Sequence, residues 1–167
     1  KYNNFKYFST DPVAVVRKCK EKTDIEIMAV VCSWLAYGNR DQIFKKCNFA
    51  YTLMNGEPYK YLMSGDWQQY KTDNNSFYRL FKFYDFYNLM NSLYHIYTKH
   101  KDLESYINDF VHKNTEADYL DALIRGLKAN GIPKDKKSAC KRLCLMLRWL
   151  IRDDNKVDLG IWKSLSK

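Results

Sequence analysis

Thr23-Asp24-Ile25-Glu26-Ile27-Met28-Ala29-Val30-Val31-Cys32-Ser33-Trp34-Leu35-Ala36-Tyr37-Gly38 is the stretch whose reading decides the fold class. Thr23 followed by Glu26 reads as a capping box, a hydroxyl and a carboxylate that satisfy the first unpaired amides of a helix. Ile25, Ile27, Met28, Val31 and Leu35 recur at helical spacing, and Gly38 supplies the stop. A helix apolar around so much of its circumference is buried on most sides and needs other elements packed on it.

Working outward, Asp11-Pro12 predicts a short helix to about Lys20, with Asp as cap and Pro where its missing N–H is not needed. Beyond the turn Gly38-Asn39-Arg40, helices are expected over 41–55, closed by Gly56, and 58–63, closed by Gly65. Polar residues dominate 67–76, which reads as a loop with at most a helical turn. Spaced apolar residues predict helices over 83–99, 103–113 and 116–130, the last ended by Gly131-Ile132-Pro133. No stretch shows the sustained alternation of a half-buried strand. The expectation is therefore an all-α helical bundle, one domain over 1–167.

With 46% apolar and 16% aromatic residues, the chain is too hydrophobic for a disordered tail. Charged residues interrupt every apolar run before the ~18 residues a spanning helix needs, and no secretory leader opens the chain. A cytoplasmic protein without membrane partners is expected, its N-terminus cut short at Lys1. Cys19, Cys32, Cys47, Cys140 and Cys144 form an odd set without a C-x-x-C pair, so reduced core thiols are expected. Cys140 and Cys144 lie one turn apart, but neither they nor His95, His100 and His112 find partners at ligand spacing. No metal and no cofactor is expected. A net charge of +9 favours polyanions, nucleic acid foremost.

The helix expected over 138–152 sharpens that charge. At about 100° per residue, Ala139, Leu143, Met146, Leu147 and Leu150 share one side, and Lys141, Arg148 and Arg152 fall within about 40° of one another opposite. Lys134, Lys136, Lys137 and Arg142 make this the densest basic cluster in the chain. The aromatic-basic run 77–87 is assigned to packing, with Arg79 as one further candidate contact.

Asp24-Ile25-Glu26, Leu35-Ala36-Tyr37-Gly38-Asn39-Arg40, Phe77-Tyr78-Arg79, Ser138-Ala139-Cys140-Lys141-Arg142-Leu143, Leu147-Arg148-Trp149 and Val157-Asp158-Leu159-Gly160-Ile161-Trp162 together resemble an uncharacterised bacterial family. It is common in Bacteroidetes and known as a conserved hypothetical protein or domain of unknown function. That family is itself similar to the helix-hairpin-helix DNA glycosylases, the 8-oxoguanine branch in particular. The resemblance implies a fold like the N-terminal and hairpin portion of such an enzyme and a nucleic-acid partner, DNA before RNA.

By the same resemblance, Tyr37, Asn39 and Arg40 fill the gap left by a flipped base, and Lys141 is the amine that forms a Schiff base with the sugar. Ser138 as cap would set Lys141 in the first helical turn, where the dipole and Arg142 are expected to favour the neutral amine. Lys136, Lys137, Arg142, Arg148 and Arg152 are candidate phosphate contacts. In place of closely spaced hairpin glycines the chain has Gly131-Ile132-Pro133-Lys134-Asp135-Lys136-Lys137-Ser138, so its lysines would hold the phosphate. The Pro-Leu-Asp-Thr-His segment that carries the family's expected aspartate would lie beyond Lys167, and the chain alone is expected to be inactive or severely impaired. Read from the residues alone, the turn is an ordinary glycine-ended Asn/Arg turn and Lys141 an exposed solubilising or phosphate-binding lysine. Three functions stay open: a base-excision enzyme, a non-catalytic helical nucleic-acid-binding module, and a helical protein-interaction domain.

Overall fold

The computed structural model describes residues 10–137, 139–154 and 157–165, and the chain is overwhelmingly helical. Ser138, assigned above as a cap, lies outside the described residues. Chain contacts group into two compact units, Lys1–Pro58 with Lys141–Lys167, and Tyr59–Cys140.

The first unit is built on α1 (Pro12–Val16), α2 (Lys22–Leu35), α3 (Arg40–Leu53) and α8 (Lys141–Ile151). The Asp11 side chain accepts from the Val13 amide at 3.0 Å, so the expected cap is present, although the helix closes at Val16 and not at Lys20. α2 is buried from Ile25 to Leu35 without interruption, as its apolar circumference requires. Its capping box is not where the sequence placed it. The helix starts at Lys22 with Glu21 in the cap position and no side-chain cap bond, and Glu26 is wholly buried and accepts the Trp162 indole N–H at 2.7 Å. A tertiary partner has overridden a local signal.

Two ties fix α8 antiparallel to α2. Arg142, at the start of α8, donates from Nη1 to the Trp34 carbonyl near the end of α2, 3.0 Å away. Trp162 receives its place from the other end of α8, its backbone N–H donating to Leu150 at 2.9 Å while its indole reaches Glu26 near the start of α2. Leu143, Met146, Trp149 and Leu150 face the core. Ala139 is exposed and precedes the helix, and Trp149 takes the place expected for Ala139 and Leu147.

The segment after α8 is wound tightly over its C-terminal end. The Leu159 and Gly160 amides both donate to the Trp149 carbonyl, at 2.7 and 3.2 Å. Gly160 sits at φ +57°, and a Cβ there would lie 2.6 Å from Asp153 Cβ and 2.9 Å from its Cα. Only glycine fits without moving backbone.

The second unit holds α4 (Pro58–Ser64, beginning one residue earlier), a 3-10 turn (Asp66–Tyr70), β1 (Ser76–Tyr78), β2 (Phe81–Lys82), α5 (Phe83–Tyr97), α6 (Leu103–Lys113) and α7 (Tyr119–Gly126). The antiparallel pair β1–β2 corrects the strand-free expectation; strands of three and two residues are too short to leave an alternation. Arg79 at φ +54° makes the turn between them. The aromatic run packs as expected, Phe77 stacking on Phe86 at 4.8 Å and edge-on to Phe83 at 5.0 Å, although Leu80 and Tyr84 stay exposed. α6 has the bounds the sequence predicts, with Asp102 accepting from the Ser105 amide at 2.8 Å. α7 is shorter than 116–130 because Asp118 and Asp121 cap it reciprocally, each accepting the other's amide.

All five cysteines are free thiols, and Cys144 alone is exposed. Burial, aided by Asp24, pushes the Cys19 thiol up to about 12, and burial beside Cys47 raises Cys32 well above its ordinary range. Raised values keep the thiols protonated and unreactive at neutral pH. A thiol-specific reagent is therefore expected to modify Cys144 rapidly and the four buried thiols only on unfolding; fast native modification of two or more would contradict this burial. Gly160→Ala is expected to cost about 1–3 kcal/mol in urea unfolding, and an unchanged midpoint would show that the segment after α8 relaxes freely.

Candidate nucleic-acid interface

The residues singled out from the sequence fall in both units, and their surroundings decide what each can do. In the first unit the end of α2 runs into a tight turn. The Tyr37 amide donates to Leu35 at 2.7 Å, Gly38 takes φ +108°, and the Asn39 side-chain oxygen accepts from the Asp41 and Gln42 amides at 3.0 and 3.3 Å. Asn39 is thus the N-cap of α3, which starts at Arg40. Arg40 donates to Asp11 at 3.1 Å, tying α3 to the cap of α1. Tyr37 stands half exposed at the turn.

Arg142 joins this turn to α8. Its bond to the Trp34 carbonyl puts the first residues of α8 at the end of α2 from which Tyr37 follows. Burial lowers its pKa from the ordinary value and the neighbouring Tyr37 acts in the opposite sense. Lys141 is the first residue of α8, in the helical turn the sequence assigned to it, exposed and without an ion pair among the described residues. Tyr37, Asn39, Arg40, Lys141 and Arg142 therefore converge on one end of the α2–α8 pair.

Arg148 and Arg152 lie farther along α8, one turn apart, and both are about half exposed. Their Nε atoms approach the same oxygen, Asp158 Oδ2, at 3.2 and 3.6 Å. The Asp158 side chain is wholly buried, and its Oδ1 has no hydrogen-bond partner among the described residues. Around it the backbone is pinned: Arg17 donates to the Val157 and Asp158 carbonyls at 2.9 and 3.1 Å, and Asp154 accepts both amides. A carboxylate sealed from water needs its counter-charges. The sequence offered the two arginines as phosphate contacts; their i, i+4 spacing is compatible with one shared partner, and the fold supplies Asp158 as that partner.

Lys136 and Lys137 belong to the second unit. Lys136 donates to Asp121 at 2.7 Å and to Asp118 at 3.1 Å; these bonds raise its pKa, and the bond from Lys136 is the main cause lowering that of Asp121. It works as a clasp on the cap of α7. Lys137 is exposed, with no ion pair among the described residues, and its amide donates to Asp135 at 2.9 Å.

The shared oxygen makes the arginines energetically coupled. Arg148→Ala or Arg152→Ala alone is expected to cost about 1 kcal/mol, because one guanidinium remains; the double variant is expected to cost about 3 kcal/mol or more, since it strands a buried charge. Strictly additive losses in a double-mutant cycle would refute a shared role.

No group of side chains able to hold a metal ion occurs among the described residues, and no helix among them is long and apolar enough to cross a membrane. No curated protein and no solved structure matches the chain. One family does, over residues 11–167, and the chain belongs to it: the family described as Protein of unknown function (DUF2400).

Proposed function

We propose that this chain contacts nucleic acid, DNA in preference to RNA, at the end of the α2–α8 pair, with Lys141 as the attacking amine of a base-excision reaction. The observation that carries the reading is the Arg142–Trp34 bond at 3.0 Å, which brings the Tyr37–Arg40 turn and the first residues of α8 together. An exposed ring, the guanidinium groups of Arg40 and Arg142, and an exposed lysine without an ion pair among the described residues, all at one end of the α2–α8 pair, suit a displaced base and the phosphates around it. In the proposed reaction the neutral Lys141 Nζ attacks the sugar C1′, the base leaves with the bonding pair and takes up one proton of the amine, and the C1′–O4′ bond then breaks as the imine forms, with O4′ keeping that pair and receiving the second proton.

A second reading, a binding module without chemistry, is favoured by Asn39, whose side-chain oxygen is committed to capping α3. The two readings separate in one pair of measurements. Affinity for duplex DNA is expected to fall steeply with salt, and Lys141→Ala to reduce the slope by about one counterion. In a protein that also carries the expected aspartate segment, borohydride is expected to trap a covalent adduct with duplexes bearing 8-oxoguanine or an abasic site, and Lys141→Ala to abolish it. Salt-sensitive binding without an adduct leaves the non-catalytic module; a flat salt profile removes nucleic acid altogether.

A further inference from the structure

The second unit carries a groove of about 440 Å³, along the face of α5 that presents Asn88, Asn91, Ser92 and His95, and walled by Lys99 and His100 just past the end of that helix, with Tyr106 and Lys128. The α5 residues share one helical face at spacings of three, four and seven, so a single straight element supplies the floor. Gly126 lets α7 close against α6, since a Cβ there would lie 2.8 Å from the Tyr106 ring and 3.0 Å from Ile96. Tyr106 in turn donates its hydroxyl to the Ala122 carbonyl at 2.9 Å, and Ser92 Oγ accepts the Lys128 amide at 3.0 Å. The walls are thus held by bonds that leave the charged ends of the side chains available.

The charge pattern selects the ligand. No carboxylate lines the groove, whereas two lysines and two histidines do. The side chains of Asn88, Asn91, Lys99 and Lys128 make no hydrogen bond or ion pair among the described residues. His100 Nδ1 lies 3.3 Å from Asp109 Oδ2, a carboxylate outside the lining. The larger cleft beside it, about 1000 Å³, shares Asn88 and Lys128 but is lined by Asp85, Asp121 and Asp135, and its Lys136 is already paired. Of the two, the smaller groove combines donors with a lining that holds no acid.

We propose that this groove is an anion site for a phosphate group, with Lys99 and Lys128 supplying the charge and Asn88, Asn91, His95 and His100 the directional donors. Its volume falls in the range of small-ligand sites and suits a phosphate ester of mononucleotide size. The phosphate can come from a free ester or from a nucleic-acid backbone, and the chemistry that recognises it is shared. The inference is independent of Lys141 and of the Tyr37–Arg40 turn, so a failed borohydride trap leaves it intact.

The test is a nuclear magnetic resonance titration of the full chain with inorganic phosphate, then with a 5′-mononucleotide, then with a short DNA duplex. Saturable shifts are expected at His95, Lys99, His100 and Lys128, and Lys99→Ala with Lys128→Ala is expected to weaken phosphate and mononucleotide by about tenfold or more at an unchanged melting temperature. Displacement of the mononucleotide by the duplex assigns the site to backbone phosphate, and retention of the mononucleotide against it assigns a free ester. Shifts that do not saturate, or an affinity that the double variant leaves unchanged, overturn the site.

Discussion

A carboxylate wholly buried in the early part of a helix that has no exposed face must be given a donor, and Glu26 receives one from the last aromatic residue of the described chain. The first unit is arranged around that requirement. For Trp162 to reach Glu26, the chain after α8 must turn back sharply, which needs Gly160 in a left-handed conformation and two amides on the Trp149 carbonyl. With α8 so positioned, its other end meets the end of α2 at Arg142. One buried acid thus fixes the direction of a helix, and through it the place of the exposed lysine at its start.

The same segment governs the cationic face. Asp158 is drawn inside by the turn and holds the half-exposed Arg148 and Arg152 against its buried carboxylate, while Arg17 and Asp154 hold the backbone from either side. Several of the candidate cations are engaged within the protein: Arg40 on Asp11, Lys136 on Asp118 and Asp121, Arg142 on a carbonyl. These side chains are held by partners of their own and are less available to a polyanion than a count of cations implies. Among the candidate residues Lys137 and Lys141 are exposed without an ion pair among the described residues, and they set the local field more directly than their share of the total suggests.

What could be read in the sequence was whatever depended on near neighbours. The bounds of α6 follow from Asp102 and its apolar spacing, and the burial of α2 from its unbroken apolar circumference. Errors arose where a distant partner decided. Glu26 sits at capping distance from Thr23 yet answers to a tryptophan 136 residues away. The strands around Arg79 exist because two short segments meet across a turn, and neither has a period of its own. Of the candidate interface, the identity of the cations was legible and their engagement was not, because each ion pair is a product of the fold. The groove on α5 was missed for a related reason: its histidines lack metal-ligand spacing, and their relation to Lys128 exists only after α7 has packed.

The division of the chain also has a consequence for synthesis. The second unit is continuous, residues 59–140, whereas the first is assembled from two pieces on either side of it. As the chain leaves the ribosome, α2 emerges with its apolar faces unmatched, and the long-range partners that cover it, α8 and Trp162, follow only after the whole second unit. The continuous unit can fold on local contacts while the earlier segment waits. Throughout that interval Ile27, Met28, Val31 and Leu35 form a sticky surface, which makes α2 the place where a holding chaperone would bind the nascent chain.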